Sequence, residues 1–462
     1  MKILLVKPSS LSDHIQPPLG LGYLASSVAG RHQTAILDML KTPLTDEKFR
    51  HYIAKERFDV VGFQCYTPDL QSVAKLARLV KQESPRIATM AGGPHPTLLP
   101  AETMEYFGDG MDWLLRGEGD EVFPQFMDQL QAKRLEPKTV PGLVWKSDGA
   151  IRVNEKTHYV KDLDRVPTPA WDLIQPQTYP PAQHGAFFRR FPIAPIITTR
   201  GCPYDCKFCS ANVLSGQAMR FRSPESVVAE IRMLYSRFHI REFHIIDDNF
   251  TINKKHARAV LENIVASRLP ISLAFPNGIR IETVDESLLA LMKKSGVYLI
   301  SLGLESGSNR VLKLMNKKLT VEKNEEKIRL IQKAGIDMAA FFIMGFPGET
   351  EDDLRRTVDY SLRLPLLRAN YENFLPLPGS PIYYELEKNG ELKGIDWRNY
   401  HYMTATYIPR GLTRETLKKF QKKAFLKFFL RPRILFRHIL LIKTFKHFIY
   451  LAKRFYHWML MS

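Results

Sequence analysis

Short apolar runs of strand length alternate with helical patterns along most of this 462-residue chain. That alternation constrains the fold more than any other feature, because parallel strands need a crossover between them and a helix is the usual crossover. In the first part the strand-like runs are Ile3–Val6, Ala35–Leu37, Val60–Cys65, Ile87–Ala91 and Trp113–Leu115, with helical patterns at Leu21–Val28, Leu70–Gln82 and from Val122. The expected fold there is α/β: a flavodoxin- or Rossmann-like, doubly wound parallel sheet over residues 1–140. Six further strand candidates follow, Ile193–Thr199, Glu242–Asp247, Ile271–Gly278, Tyr298–Leu304, Ala339–Met344 and Asn370–Pro376. Helices are expected between them at Pro224–Phe238, Lys254–Ser267, Asp285–Lys294, Val321–Ala334 and Thr350–Leu362. Six βα repeats predict a partial TIM-type barrel over residues 193–410. A connecting segment, 141–192, holds a hairpin pattern around Ser147-Asp148-Gly149 and then a proline-broken strip, Leu163–Leu173.

Ligands of such folds bind at the carboxyl ends of the strands. The first strand of the second set runs into Thr199-Arg-Gly-Cys-Pro-Tyr-Asp-Cys-Lys-Phe-Cys-Ser210, which holds three of the four cysteines, Cys202, Cys206 and Cys209. Three thiolates on one loop can hold three irons of a cubane and leave the fourth open to a ligand. A structural zinc site would want four ligands, usually as two spaced pairs. The remaining Cys65 lies on a distant predicted strand, where a lone cysteine reads as a small core residue. Other strand ends carry Asp247 and Asp248, Glu305, and Gly345 with Gly348. Adjacent acids at a strand end suit a site or a helix cap. A glutamate among apolar residues needs a partner. Glycines allow close backbone approach or simply make a turn.

The C-x3-C-x2-C spacing, with Phe208 just before the last cysteine, resembles the radical S-adenosylmethionine (radical SAM) superfamily. The resemblance implies a 4Fe-4S cluster on Cys202, Cys206 and Cys209 whose open iron chelates the amino and carboxylate groups of S-adenosylmethionine. A flavodoxin- or ferredoxin-type reductant would then drive cleavage to a 5′-deoxyadenosyl radical. By the same resemblance Asp247 and Asp248 meet the methionyl amino group, Glu305 meets the ribose or amino end, and Gly345 and Gly348 pack on the adenine. The first domain resembles the cobalamin-binding domain of one branch of that superfamily, in Pro17-Pro-Leu-Gly-Leu-Gly22, Gly92-Gly-Pro-His-Pro-Thr97 and Arg116-Gly-Glu-Gly-Asp-Glu121. This implies cobalamin contacts from Pro18, Gly20, Thr67, Gly92, Gly93, His95, Gly117 and Glu118. The D-x-H-x-x-G motif of methionine-synthase-like domains is absent, Asp13-His14 having the wrong spacing, so the lower face of the cobalt is unassigned. Pro167-Thr-Pro-Ala-Trp171 resembles the strip that joins the two domains and, by analogy, covers one end of the barrel. No second cysteine cluster follows Cys209, which sets aside methylthiotransferases and maturases with auxiliary clusters. The branch implies methylation of an sp3 carbon of a small molecule, and a C-terminal tail lying at a membrane interface would fit an apolar one. Its alternative is oxidative cyclisation or rearrangement, as in the anaerobic Mg-protoporphyrin ester cyclases. A redox sensor or electron carrier is the reading from a different class.

Charge enters the argument only at the end of the chain. The net charge is +18, but residues 416–462 carry twelve Lys/Arg and no Asp/Glu, leaving +6 for the rest. Thr413 is a candidate cap, followed by Leu417, Phe420, Ala424 and Phe428 at helical spacing. A second stripe runs through Leu435, Ile439, Ile442, Phe445, Ile449 and Ala452. A basic amphipathic helical tail over 411–462 suits the surface of an anionic membrane, through residues 412–462. Helices packed on the barrel and RNA binding are the alternatives, nucleic acid being the weaker. No apolar run reaches the roughly 18 residues that span a bilayer. The first residues read as a strand rather than a signal peptide. Few cysteines, gathered in one motif, point to a reducing cytoplasm.

Overall fold

The computed structural model describes residues 1–9, 15–156, 159–182 and 184–440, and beyond them only 442, 448, 449 and 452. Asp13-His14 and Phe445 of the sequence reading lie outside the described residues. The chain forms two compact units, Met1–Tyr179 with Val213–Gly216, and Pro180–Asn212 with Gln217–Ser462.

The first unit is built on strands β1 (Lys2–Lys7), β2 (Gln33–Asp38), β3 (Val60–Gln64), β4 (Ala88–Gly92), β5 (Trp113–Leu115), β6 (Leu143–Ser147) and β7 (Ala150–Val153). Their order in the sheet is β2-β1-β3-β4-β5-β6-β7. The first five are parallel. Helices cover both faces: Phe49, Ile53, Val73, Ala77, Val80, Met104 and Phe107 fill one side, and Leu21, Ala25, Phe123 and Phe126 the other. This is the doubly wound arrangement. The hairpin assigned from sequence to the connecting segment is the last part of this sheet, β6 pairing antiparallel with β5 and β7 with β6. The residues explain it. Leu143, Val144 and Trp145 are all buried, as an interior strand requires, whereas Arg152 and Val153 on β7 are exposed at the edge. The Pro167–Trp171 strip lies against the helix Leu19–Ser27. Its Ala170 amide donates to the Gly22 carbonyl at 3.0 Å, and a Cβ at position 22 would stand 2.6 Å from Ile174 Cδ1.

The second unit holds β8 (Ile193–Ile196), β9 (Thr199–Arg200), β10 (Arg220–Phe221), β11 (Glu242–Ile245), β12 (Ser272–Ile279), β13 (Val297–Glu305), β14 (Asp337–Met344) and β15 (Arg368–Asn373). Six of them form one sheet in the order β15-β14-β13-β12-β11-β8, all parallel. β8 and β15 stay at its two edges, so the barrel is partial. Strand β9 leaves this sheet and pairs antiparallel with β10. The crossover helices begin where polar caps allow. Ser223, Asn253, Asp285, Thr320 and Thr350 each accept the amide three residues on.

The tail divides in two. Helix Arg414–Phe429 is capped by Thr413 and buries Leu417, Phe420, Gln421, Ala424 and Phe428 against β15 and helix Glu351–Arg363. Over these residues the packed-helix alternative is the one observed. A second helix, Pro432–Leu440, follows. No helix among the described residues is long and apolar enough to cross a membrane.

Candidate active site

The cysteine loop follows β8 and is held from several directions. Asp247, just past β11, clamps the residues that lead into it. Its Oδ1 accepts the Thr198 amide at 2.7 Å, and Oδ2 accepts the hydroxyls of Thr198 and Thr199 at 2.5 and 3.0 Å. Burial nonetheless pushes this carboxyl up to about 6, those hydrogen bonds opposing it. Asp248 is exposed. The next residue, Asn249, is fully buried, and neither atom of its amide meets a protein partner. Farther along, the Lys207 amide donates to the Met315 carbonyl and the Lys207 carbonyl accepts the Ile382 amide, both at 3.0 Å. The Ser210 hydroxyl donates to the Pro378 carbonyl at 2.6 Å. The proline-rich end of the last βα repeat therefore braces the loop. Phe208 packs against an apolar cluster of Val311, Met315, Phe346, Phe374 and Ile382.

Cys206 is buried, and Cys202 and Cys209 are partly exposed. Among the described residues no three His, Cys, Asp or Glu side chains converge as a mononuclear metal site requires. A cubane asks for something else, since each thiolate meets a different iron corner. Three thiols spaced along one short braced loop fit that demand. Burial pushes Cys209 up to about 12 and Cys202 upward too, and the neighbouring thiols add to both shifts. Such thiols keep their protons until iron displaces them.

Two buried cations stand beside the loop, and the sequence reading found neither. Lys317 Nζ is 2.7 Å from Glu305 Oε1 and 5.5 Å from the centre of the Phe208 ring. Burial opposes its charge, but Glu305 and then Cys206 outweigh burial, so its pKa rises. Glu305, at the end of β13, is thus a partnered charge with its backbone at φ 60°. A Cβ at Gly303 would come within 2.6 Å of Glu305 Oε1 and 3.0 Å of Lys317 Nζ, so the pair needs a glycine there. The available signal was a buried glutamate in need of a cation, followed by Lys317 and Lys318. Arg280, just past β12, is the second cation, with Nη1 3.6 Å from Cys206 Sγ. At the end of β14, Gly345 (φ 81°) and Gly348 (φ 82°) make a turn. Glu349 closes it by accepting the Gly345 and Phe346 amides at 2.5 and 3.2 Å. Burial pushes Glu349 up to about 8. Glu372, on β15, rises to about 7 through burial and then the charge of Glu305.

In the first unit the residues expected around cobalamin gather at the carboxyl edges of β3, β4 and β5. The Cys65 amide donates to the Gly92 carbonyl at 2.8 Å, and the His95 amide to the Cys65 carbonyl at 3.2 Å. His95 Nδ1 is 3.1 Å from Thr67 Oγ1. The Gly117 amide donates to Thr97 Oγ1 at 3.0 Å, which in turn donates to the Gly93 carbonyl at 2.7 Å. Gly93 sits at φ 113°, where an added Cβ would stand 3.0 Å from the Cys65 carbonyl oxygen. The edge is therefore a ridge of backbone and small hydroxyls. Burial pushes His95 down to about 4, so it is neutral. Pro18 and Gly20 lie on the neighbouring crossover, at the start of helix Leu19–Ser27. Glu118 is turned to the Val160 amide at 2.9 Å.

A cysteine loop after the edge strand of a six-stranded partial barrel, in one chain with a doubly wound domain of order 2-1-3-4-5, joins a cluster-type loop to a second domain of ligand-binding type. The Radical SAM superfamily signature matches residues 196–361 and the B12 binding domain signature residues 11–127. An uncharacterized methyltransferase of Pyrococcus horikoshii is 31% identical over 98% of this chain and 97% of its own length. An anaerobic magnesium-protoporphyrin IX monomethyl ester cyclase of Rubrivivax gelatinosus is 26% identical over 93% of this chain and 79% of its own. Among solved structures, the radical S-adenosylmethionine methyltransferase TsrM from Kitasatospora setae, with cobalamin and a 4Fe-4S cluster bound, superposes with a TM-score of 0.69. It is 20% identical and covers 84% of this chain and 75% of its own, a likeness of fold. The chain belongs to the cobalamin-binding branch of the radical SAM superfamily. Its cofactors are a 4Fe-4S cluster, S-adenosylmethionine and cobalamin.

Proposed function

We propose that this chain methylates an sp3 carbon of an apolar small molecule at a lipid surface. The observation that carries the reading is the union of a three-cysteine loop with a B12-type sheet edge in one chain, together with a whole-length likeness to a methyltransferase. Cluster, S-adenosylmethionine and cobalamin together supply the radical and the methyl group. The chain's own residues do the rest. Asp247 fixes Thr198 and Thr199 ahead of the thiols. The Glu305–Lys317 pair sets a buried carboxyl against a buried amine beside the loop. Glu349 holds the Gly345–Gly348 turn for the adenine. The buried Val311, Met315 and Phe346 anchor Phe208 and so hold the cysteine loop in place. The lipid part of the reading rests on Leu435, Phe436 and Ile439, exposed beside Arg433. Oxidative cyclisation is the second reading, favoured by the cyclase relative.

Anaerobic turnover of the reconstituted protein with a strong reductant and a host lipid extract tests both. 5′-Deoxyadenosine and S-adenosylhomocysteine rising together, the latter only with substrate, is the expected result. Deoxyadenosine alone would replace methyl transfer by the cyclase reading. Neither product, from protein with a full cluster, would remove both.

A further inference from the structure

Arg280 is 8% exposed, and its guanidinium is committed in every direction. Nε pairs with Glu282 Oε1 at 2.5 Å. Nη2 donates to the Lys317 carbonyl at 2.8 Å. Nη1 points at Cys206 Sγ, 3.6 Å away, a hydrogen-bonding distance for a sulfur acceptor. The flat face lies 3.7 Å from the centre of the Tyr204 ring. Tyr204 and Cys206 belong to the cysteine loop, and Lys317 carries the ion pair to Glu305. One side chain therefore joins the strand end, the loop and the backbone of the other buried cation, Lys317. An arginine does not lose its proton in a protein, so Cys206 always faces a positive charge.

We propose that Arg280 is a positioning residue that sets the reduction potential of the cluster through its N–H bond to the sulfur of Cys206. Net charge, hydrogen bonds to sulfur and solvent exposure are what tune such potentials. Reduction adds one electron to an anionic assembly. A fixed cation against a ligand sulfur stabilises the reduced state more than the oxidised one and so raises the potential. Glu282 works against it. Its carboxylate pairs with Nε from a more exposed position, with 34% side-chain exposure, and subtracts part of the field. The proposal does not depend on which carbon is methylated, because the quantity it concerns belongs to the cluster alone.

The test is a redox titration of full-length, reconstituted protein, followed by the EPR signal of the reduced cluster, with iron content and circular dichroism as controls. Arg280→Gln is expected to move the midpoint to a more negative potential. Arg280→Lys, which keeps the charge but not the fork, should fall between. Glu282→Gln should move it the opposite way, a sign that loss of packing would not produce. Arg280→Gln with full iron and an unchanged midpoint would overturn the proposal. So would loss of iron from both Arg280 variants with no shift in Glu282→Gln, which would leave Arg280 a loop-folding residue only.

Discussion

The carboxyl of Asp247 accepts three hydrogen bonds, yet burial outweighs them and holds it up at about 6. An unfolded aspartate titrates near 3.9. The native state therefore binds the proton more tightly than the unfolded chain does. Ionising Asp247 costs stability that is absent below about pH 4 and complete above about pH 6. The expected outcome is that Asp247→Asn apoprotein gains on the parent as pH rises through that window, by a difference on the order of 3 kcal/mol. Urea unfolding at pH 4 and pH 8 measures it, and an offset equal at both values would mean that the acid does not titrate there. A pair of acids at a strand end was legible in the sequence. Which of them is absorbed by the scaffold was not, because that depends on Thr198 and Thr199, 49 and 48 residues earlier. The same holds for Arg280, 74 residues from Cys206. The three cysteines needed no such context, since their spacing alone limits what they can bind.

Most elements were legible because strand alternation and capping residues are local signals. Two had partners that no local signal could name. The β6–β7 hairpin has the right turn, but only the sheet tells where it pairs. Helix Arg414–Phe429 has lysines opposite an apolar stripe, a pattern that serves a membrane or a barrel equally. Its buried glutamine settles the matter. Gln421 Nε2 donates to the Tyr371 carbonyl at 2.8 Å, and its Oε1 accepts from Asn373 at 3.1 Å, both residues on β15. Leu417 stands so close to Gly345 that a Cβ there would be 3.0 Å away. This helix is therefore a structural layer over the strand end that carries the Gly345–Gly348 turn. Phe428→Ala removes a fully buried ring and is expected to cost about 3–5 kcal/mol. Thermal or urea unfolding measures the loss. A cost below about 1 kcal/mol would mean that the helix does not pack on β15 in solution.

Across the whole molecule the charge is concentrated where this layer ends. Residues 416–462 hold twelve of the basic residues and no acidic one, and the packed helix accounts for only part of them. After Phe429, Ile434 is still buried, but most of the described apolar side chains turn outward: Leu430 is 61% exposed, Phe436 64% and Ile439 55%. Apolar side chains standing in water beside the exposed Arg433 suit one surface above others, an anionic lipid headgroup layer over acyl chains, while Arg437 is held by Asp337 at 2.6 Å. Each basic residue near such a surface adds about 1 kcal/mol of attraction, which salt weakens. Removing the tail from Gly411 would strip the structural helix as well, so the change must be made beyond Phe429. The full chain is expected to float with vesicles containing anionic lipid and to be released by salt. Leu435→Ser, Phe436→Ser and Ile439→Ser together should leave the protein with the unbound fraction, its iron content and unfolding midpoint unchanged. Flotation of this triple variant equal to the parent's would remove the lipid surface from the proposed function. The basic tail would then have to be explained by an anionic partner in solution, and competition by RNA would be the next measurement.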